Sequence, residues 1–125
     1  MTSVYDRLGG AAALDAAVDI FYDKVLKDHR IKDFFTDVNM ARQRQKQKAF
    51  LTMAFGGPNN YSGLSMTRGH AHLVERGLND SHVDAVIENL AATLQDLGAA
   101  PSDIAEVGAI ANSVRDAVLG RGAAA

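Results

Sequence analysis

Gln43 and Gln47 stand one helical turn apart, and His70 follows them beyond the double-glycine turn Phe55-Gly56-Gly57-Pro58. On a helix this spacing sets both amides on one face. An imidazole nitrogen is a good axial donor to iron. With the turn between them, imidazole and amide face could lie on opposite sides of one flat ligand, which suggests a haem pocket. Tyr22 is the other polar group of interest, because it falls in an otherwise apolar helical stripe. A buried phenol needs a hydrogen-bond partner, and either a core carbonyl or a bound ligand would serve.

The elements that must position these groups read as helices almost throughout, with hardly a strand signal, so the expected class is all-α. A short first helix should stop at Gly9-Gly10. The second, from about Ala12 to Lys27, should bury Leu14, Val18, Phe21, Tyr22, Val25 and Leu26. A turn of helix carries Phe34-Phe35, and Asp37 or Asn39 could cap the helix that follows. That helix runs from about Met40 to Phe55. Gln43, Lys46, Gln47, Phe50 and Leu51 recur on it at three- and four-residue steps, so one face passes from amide and amine to aromatic and aliphatic. If that face begins in solvent, the glutamines need no further explanation.

Residues 59–68 are loop-like and lead into a short helix with His70, Leu73 and Val74. Two longer helices close the chain. One runs from about Ser81 to Leu97, with Asn79 as its cap and Val83, Val86, Ile87, Leu90 and Leu94 inward. The other spans about Ser102 to Leu119, with Ile104, Val107, Ala111, Val114 and Val118 inward. Pro58 and Pro101 sit at breaks, where a missing N–H does little harm. The tail 120–125 should fray.

A chain of 125 residues implies one domain over 1–125, in which any macrocycle would form much of the core. Apolar residues make up 47% and charged residues 22%, as in a globular protein. The net charge of -2 gives no electrostatic reason to expect nucleic acid. Arg42, Arg44, Lys46 and Lys48 form a local basic run, whose plain reading is a solvated helix face. There are no cysteines, which excludes disulfides, thiolate catalysis and Cys-ligated metal. Neither a signal peptide nor a membrane-spanning run is apparent, so the expectation is a cytoplasmic, monomeric protein without a membrane partner.

Taken together, Tyr5-Asp6-Arg7-Leu8-Gly9-Gly10, Phe21-Tyr22, Phe34-Phe35, Gln43 through Leu51, Phe55-Gly56-Gly57-Pro58, and Met66 followed by His70 resemble the truncated haemoglobins of the first, cyanobacterial and algal type. The resemblance covers about residues 4–119. It implies a truncated globin fold, a two-over-two α-helical sandwich around haem b. Carried over by residue, it makes His70 the proximal iron ligand and Tyr22, Gln43 and Gln47 the distal hydrogen-bonding set. Phe35 would stack on the haem, and Phe50, Met66, Leu73 and Val74 would line the pocket.

Some members of that family use a distal-helix histidine as sixth ligand and attach haem through a histidine in the last helix. Here the corresponding residues are Lys46 and Ala117, so non-covalent haem is expected. Lys46 has three readings: an ion pair with a haem propionate, a sixth ligand to iron, or simple exposure. An amine coordinates iron only when neutral, which ordinary lysine chemistry opposes. His29, His72 and His82 read as non-catalytic.

By the same resemblance the ligands would be O₂, NO or CO. The favoured activity is nitric oxide dioxygenation supported by an external reductase. An O₂ or NO carrier or sensor without turnover is the alternative, and a helical bundle without cofactor is the structural one.

Overall fold

The computed structural model describes residues 3–35, 40–57, 71 and 73–120, the side chains at 40 and 43 excepted. Every regular element among them is helical. In chain order these are α1 (Val4–Leu8), α2 (Ala11–Lys27), α3 (Lys32–Phe35), α4 (Met40–Ala54), α5 (Asp80–Asp96), α6 (Pro101–Ser113) and α7 (Arg115–Val118), with a helical turn at 73–75 before α5. The expected caps at Asp37 and Asn39, the 59–68 loop, Pro58 and nearly all of the tail lie outside the described residues.

Local chemistry sets the ends. Ser3 caps α1, its Oγ accepting the Asp6 N–H at 3.2 Å, and α1 stops where Gly9 takes φ 116°. Asn79 caps α5, and Pro101 opens α6, where the N–H it lacks would have had no partner in the helix. The close of α4 puts two glycines to use. Gly56 turns left-handed at φ 78°, its N–H donating to the Met53 carbonyl, while the Gly57 N–H donates to that of Thr52 at 2.9 Å. Tyr5 then donates its N–H to the Phe55 carbonyl at 2.8 Å, so the end of α4 is tied to the start of the fold.

Packing follows from the apolar stripes. Leu14, Val18, Phe21 and Val25 of α2 are buried together with Leu51 and Ala54 of α4, Phe55, Leu90 and Leu94 of α5, and Val107 and Ala111 of α6, in one core. Each such large side chain contributes about 2 kcal/mol by leaving water. α2 lies against α4 and α5, α5 against α6, and α4 also touches α6. The α2–α4 pair therefore stacks on the α5–α6 pair, the two-over-two sandwich.

Three details differ from the sequence reading. Tyr22 and Leu26 are half-buried rather than buried, because they sit beside the 14, 18, 21, 25 stripe and face its rim. Ala85 and Thr93 join the buried set of α5, the Thr93 hydroxyl satisfied by the Asn89 carbonyl at 2.8 Å. The last helix is two helices, α6 and α7, interrupted at Val114 (φ -99°, ψ 5°). There the Ser113 hydroxyl donates to the Ile110 carbonyl at 2.5 Å, offering the backbone a competing partner. Arg115 reaches instead to Asp80 and Asp84 of α5 and holds α7 on the sandwich.

Candidate functional site

The orientation of α4 decides the site, and two ion pairs fix it. Arg44 pairs with Asp19, and Lys48 pairs with Asp15 at 2.9 Å. Each helix gives residues one turn apart, taken in opposite order, so α2 and α4 run antiparallel. The basic run is thus divided: Arg44 and Lys48 grip α2, while Arg42 and Lys46 are exposed and make other contacts. Sequence reasoning missed these pairs. The signal was present, an acidic pair and a basic pair each at four-residue spacing, but only the packing of the two helices makes them partners.

With α4 held in this way, Gln47, Leu51 and Ala54 face the interior. Gln47 is 3% exposed, and neither its Oε1 nor its Nε2 has a hydrogen-bond partner among the described residues. An amide carries two donors and an acceptor with two lone pairs. Leaving such a group buried and unpaired costs about 1–3 kcal/mol. The side chain is therefore poised for a polar partner that the described residues do not supply. Phe50, the next turn along, is half-buried against the core, and Leu51 is fully buried.

The other expected pocket residues come from elements packed on the same core. Tyr22 of α2 and Phe35 of α3 are half-buried against it, and Phe35 stands edge-on to Phe21 with ring centroids 6.3 Å apart. Tyr22 makes a polar or ring contact of its own. Leu73 and Val74 are half-buried on the helical turn at 73–75. The side chain of Gln43, Met66 and His70 lie outside the described residues, and so does His72. Of the two remaining histidines, His29 is exposed and His82 serves the cap of α5.

A second set of charges joins α2 to α5. Asp28 accepts from Arg30 Nε and Nη2 at 2.9 and 2.7 Å and from the Asn89 amide at 2.9 Å. The Arg30 guanidinium holds the Asp28 carboxyl well below the usual carboxylate range, against the opposing effect of partial burial, with Asn89 adding to the depression. Arg30 also reaches Glu88 at 3.3 Å. These contacts join the end of α2 to α5.

A buried, unpartnered amide flanked by Phe50 and Leu51, with Tyr22 and Phe35 on the same core, fits a flat apolar group that presents a small polar ligand. Comparison with known proteins gives the same direction. A family model described as bacterial-like globin matches residues 3–119. The group 1 truncated hemoglobin GlbN of Synechocystis sp. is 54% identical over 114 residues, 90% of this chain and 92% of the relative. The group 1 truncated hemoglobin of Tetrahymena thermophila is 45% identical over 119 residues, 95% and 96% of the two chains. The crystal structure of a Synechococcus sp. globin with heme modification matches with a TM-score of 0.85 at 50% identity, covering 96% of this chain and 100% of that one. The chain belongs to the bacterial-like globin family, as a truncated haemoglobin of group 1, and haem-based ligand binding comes with that membership.

Proposed function

We propose that this chain holds haem b non-covalently with His70 as the proximal ligand, binds O₂ and NO, and supports nitric oxide dioxygenation with an electron from an external reductase. The observation that carries the reading is the buried Gln47 amide, without a partner among the described residues. The net reaction joins NO, O₂ and one electron to give nitrate. When bound, haem supplies the iron that takes the diatomic ligand and cycles between oxidation states.

The chain's own residues supply polarity and dryness. Gln47 Nε2 would donate to a small oxygen-bearing ligand held by the haem, and its burial would shield that bond from solvent. The Tyr22 hydroxyl donates from α2, and Gln43 orients it or donates directly. Phe35, Phe50, Leu51, Met66, Leu73 and Val74 enclose the ring and exclude solvent. Lys46 is exposed, which supports an ion pair with a haem propionate rather than a place as sixth ligand to iron: its stem would lie along the haem edge and carry the ammonium to the carboxylate.

Mixing the reduced, O₂-equilibrated protein with NO tests the activity. One nitrate per protein and immediate conversion to the ferric spectrum are expected, with repeated turnover once a reductase is supplied. Oxidation without nitrate would sink the dioxygenase reading. Nitrate in a single turnover but no cycling with any reductase would favour a carrier or sensor.

A further inference from the structure

Three side chains from three separate elements stack beside the segment that follows His70. The Phe34 ring of α3 lies 4.8 Å from the His82 ring of α5, tilted by 60°. The Arg76 guanidinium sits 5.4 Å over the same Phe34 ring, and its Nη2 donates to the Asp33 carbonyl at 3.1 Å. His82 is the third residue of α5. Its Nδ1 accepts the Asn79 backbone N–H at 3.0 Å, while Asn79 Oδ1 accepts the Ser81 N–H at 2.9 Å. This is a reciprocal cap with an imidazole where Glu or Gln usually stands.

Asn79 closes the segment that begins at Leu73. Within it the Gly77 N–H donates to the Val74 carbonyl and the Leu78 N–H to the Leu73 carbonyl, both at 3.0 Å. From the pocket residues Leu73 and Val74 to the cap is thus one hydrogen-bonded turn. Arg76, from the middle of that turn, is fastened to α3, which also carries Phe35. The cluster consequently joins the segment after His70, the aromatic helix α3 and the start of α5.

We propose that His82 is a positioning residue for the proximal side of the haem pocket, and that protonation of its imidazole releases segment 73–79 and speeds haem loss. This rests on the haem reading above. Accepting the Asn79 N–H requires a lone pair on Nδ1, so the neutral ring carries its proton on Nε2. A second proton must go to Nδ1, which turns the acceptor into a donor facing a donor, and the bond is lost. Glutamine at the same position accepts at any pH. The charged groups on the surrounding elements are Glu75 and Arg76 on the turn, Lys32 and Asp33 on α3, Asp80 and Asp84 on its own helix, and Arg115 of α7. Arg115 bonds Asp80 at 3.0 Å and Asp84 at 2.5 Å. The cap and the ring stack link His82 to Asn79 and Phe34, which makes its charge state a signal to the segment.

Haem transfer from the intact holoprotein to excess apomyoglobin, measured from pH 8 to 5 in wild type and His82→Gln, tests the proposal. Loss of one helix cap corresponds to about a fivefold change. Wild-type transfer should therefore accelerate by about fivefold more than that of His82→Gln as the pH falls. Amide exchange at Asn79, followed by NMR together with the His82 ring signals, should lose protection in step in wild type and stay level in His82→Gln. A normal Soret band with Asn79 exchange independent of His82 titration would overturn this proposal alone. So would equal pH dependence of haem transfer in the two proteins. Absence of any Soret band after haem addition would overturn the haem reading and this proposal together.

Discussion

Gln47 and Lys46 are neighbours in α4 that meet opposite environments, the amide 3% exposed and without a partner among the described residues, the amine exposed. A helix turns by 100° per residue, so the boundary between pocket and solvent passes between them. A residue kept buried at a cost to stability should show opposite signs in stability and function. Replacing Gln47 with Leu removes the unpaired amide and should raise the stability of the haem-free protein by about 1 kcal/mol. In the same variant, O₂ dissociation should quicken by about tenfold, the loss of one charge-assisted hydrogen bond. Urea denaturation of the apoprotein and stopped-flow ligand replacement check the two effects. Loss of stability together with unchanged dissociation would make Gln47 an ordinary core residue.

Lys46→Ala separates the two roles proposed for that side chain. With the propionate role, ferric and ferrous spectra should match wild type across a pH titration, while haem transfer to apomyoglobin quickens by about twofold and the difference shrinks in high salt. A spectral transition at alkaline pH in wild type that the variant lacks would instead assign Lys46 to the iron.

The helices were legible because each carries a stripe of its own, Leu14 to Val25 in α2 and Val83 to Leu94 in α5. The break at Val114 was not, because Val107, Ala111, Val114 and Val118 keep one period across it. What stops α6 is a side-chain hydroxyl and a distant carboxylate pair, and periodicity records neither. At the site, the inward face of Gln47, Phe50 and Leu51 was legible from spacing, but Lys46, read on the same face, is exposed. That Arg44 and Lys48 would find Asp19 and Asp15 was not, since the partners belong to another helix. His82 was read only as non-catalytic; its use as a cap acceptor depends on the ring's orientation, which spacing leaves open.

Acid should weaken the α2–α5 junction through Asp28. Its folded-state value is depressed, chiefly by Arg30, so it stabilises fully above the unfolded aspartate value of about 3.9. That contribution is lost as pH falls from there through the folded value. Asp28→Asn should cost about 2 kcal/mol at pH 7, and the gap from wild type should narrow steadily below about pH 4. Denaturant midpoints of the two proteins between pH 7 and pH 2 measure it. A gap that stays constant to pH 2 would assign the loss to packing rather than charge.

The closing contact between the start of the chain and the end of α4 leaves no room for a side chain at Gly57. A Cβ there would lie 2.7 and 2.8 Å from Cδ2 and Cγ of the Tyr5 ring and 3.1 Å from Thr52 Cγ2. Those ring atoms are near the root of the side chain, so Tyr5 cannot yield by a small rotation of its tip, and its own N–H is bonded to Phe55. Gly57→Ala should therefore cost about 1–3 kcal/mol, as overpacking does. If the Tyr5 ring is the obstacle, adding Tyr5→Ala should make Gly57→Ala nearly neutral in that background, even though Tyr5→Ala is itself destabilising. A double-mutant cycle read by thermal unfolding decides this. Equal costs for Gly57→Ala with and without the ring would place the strain in the backbone turn, and the contact would then be a consequence of the turn rather than its lock.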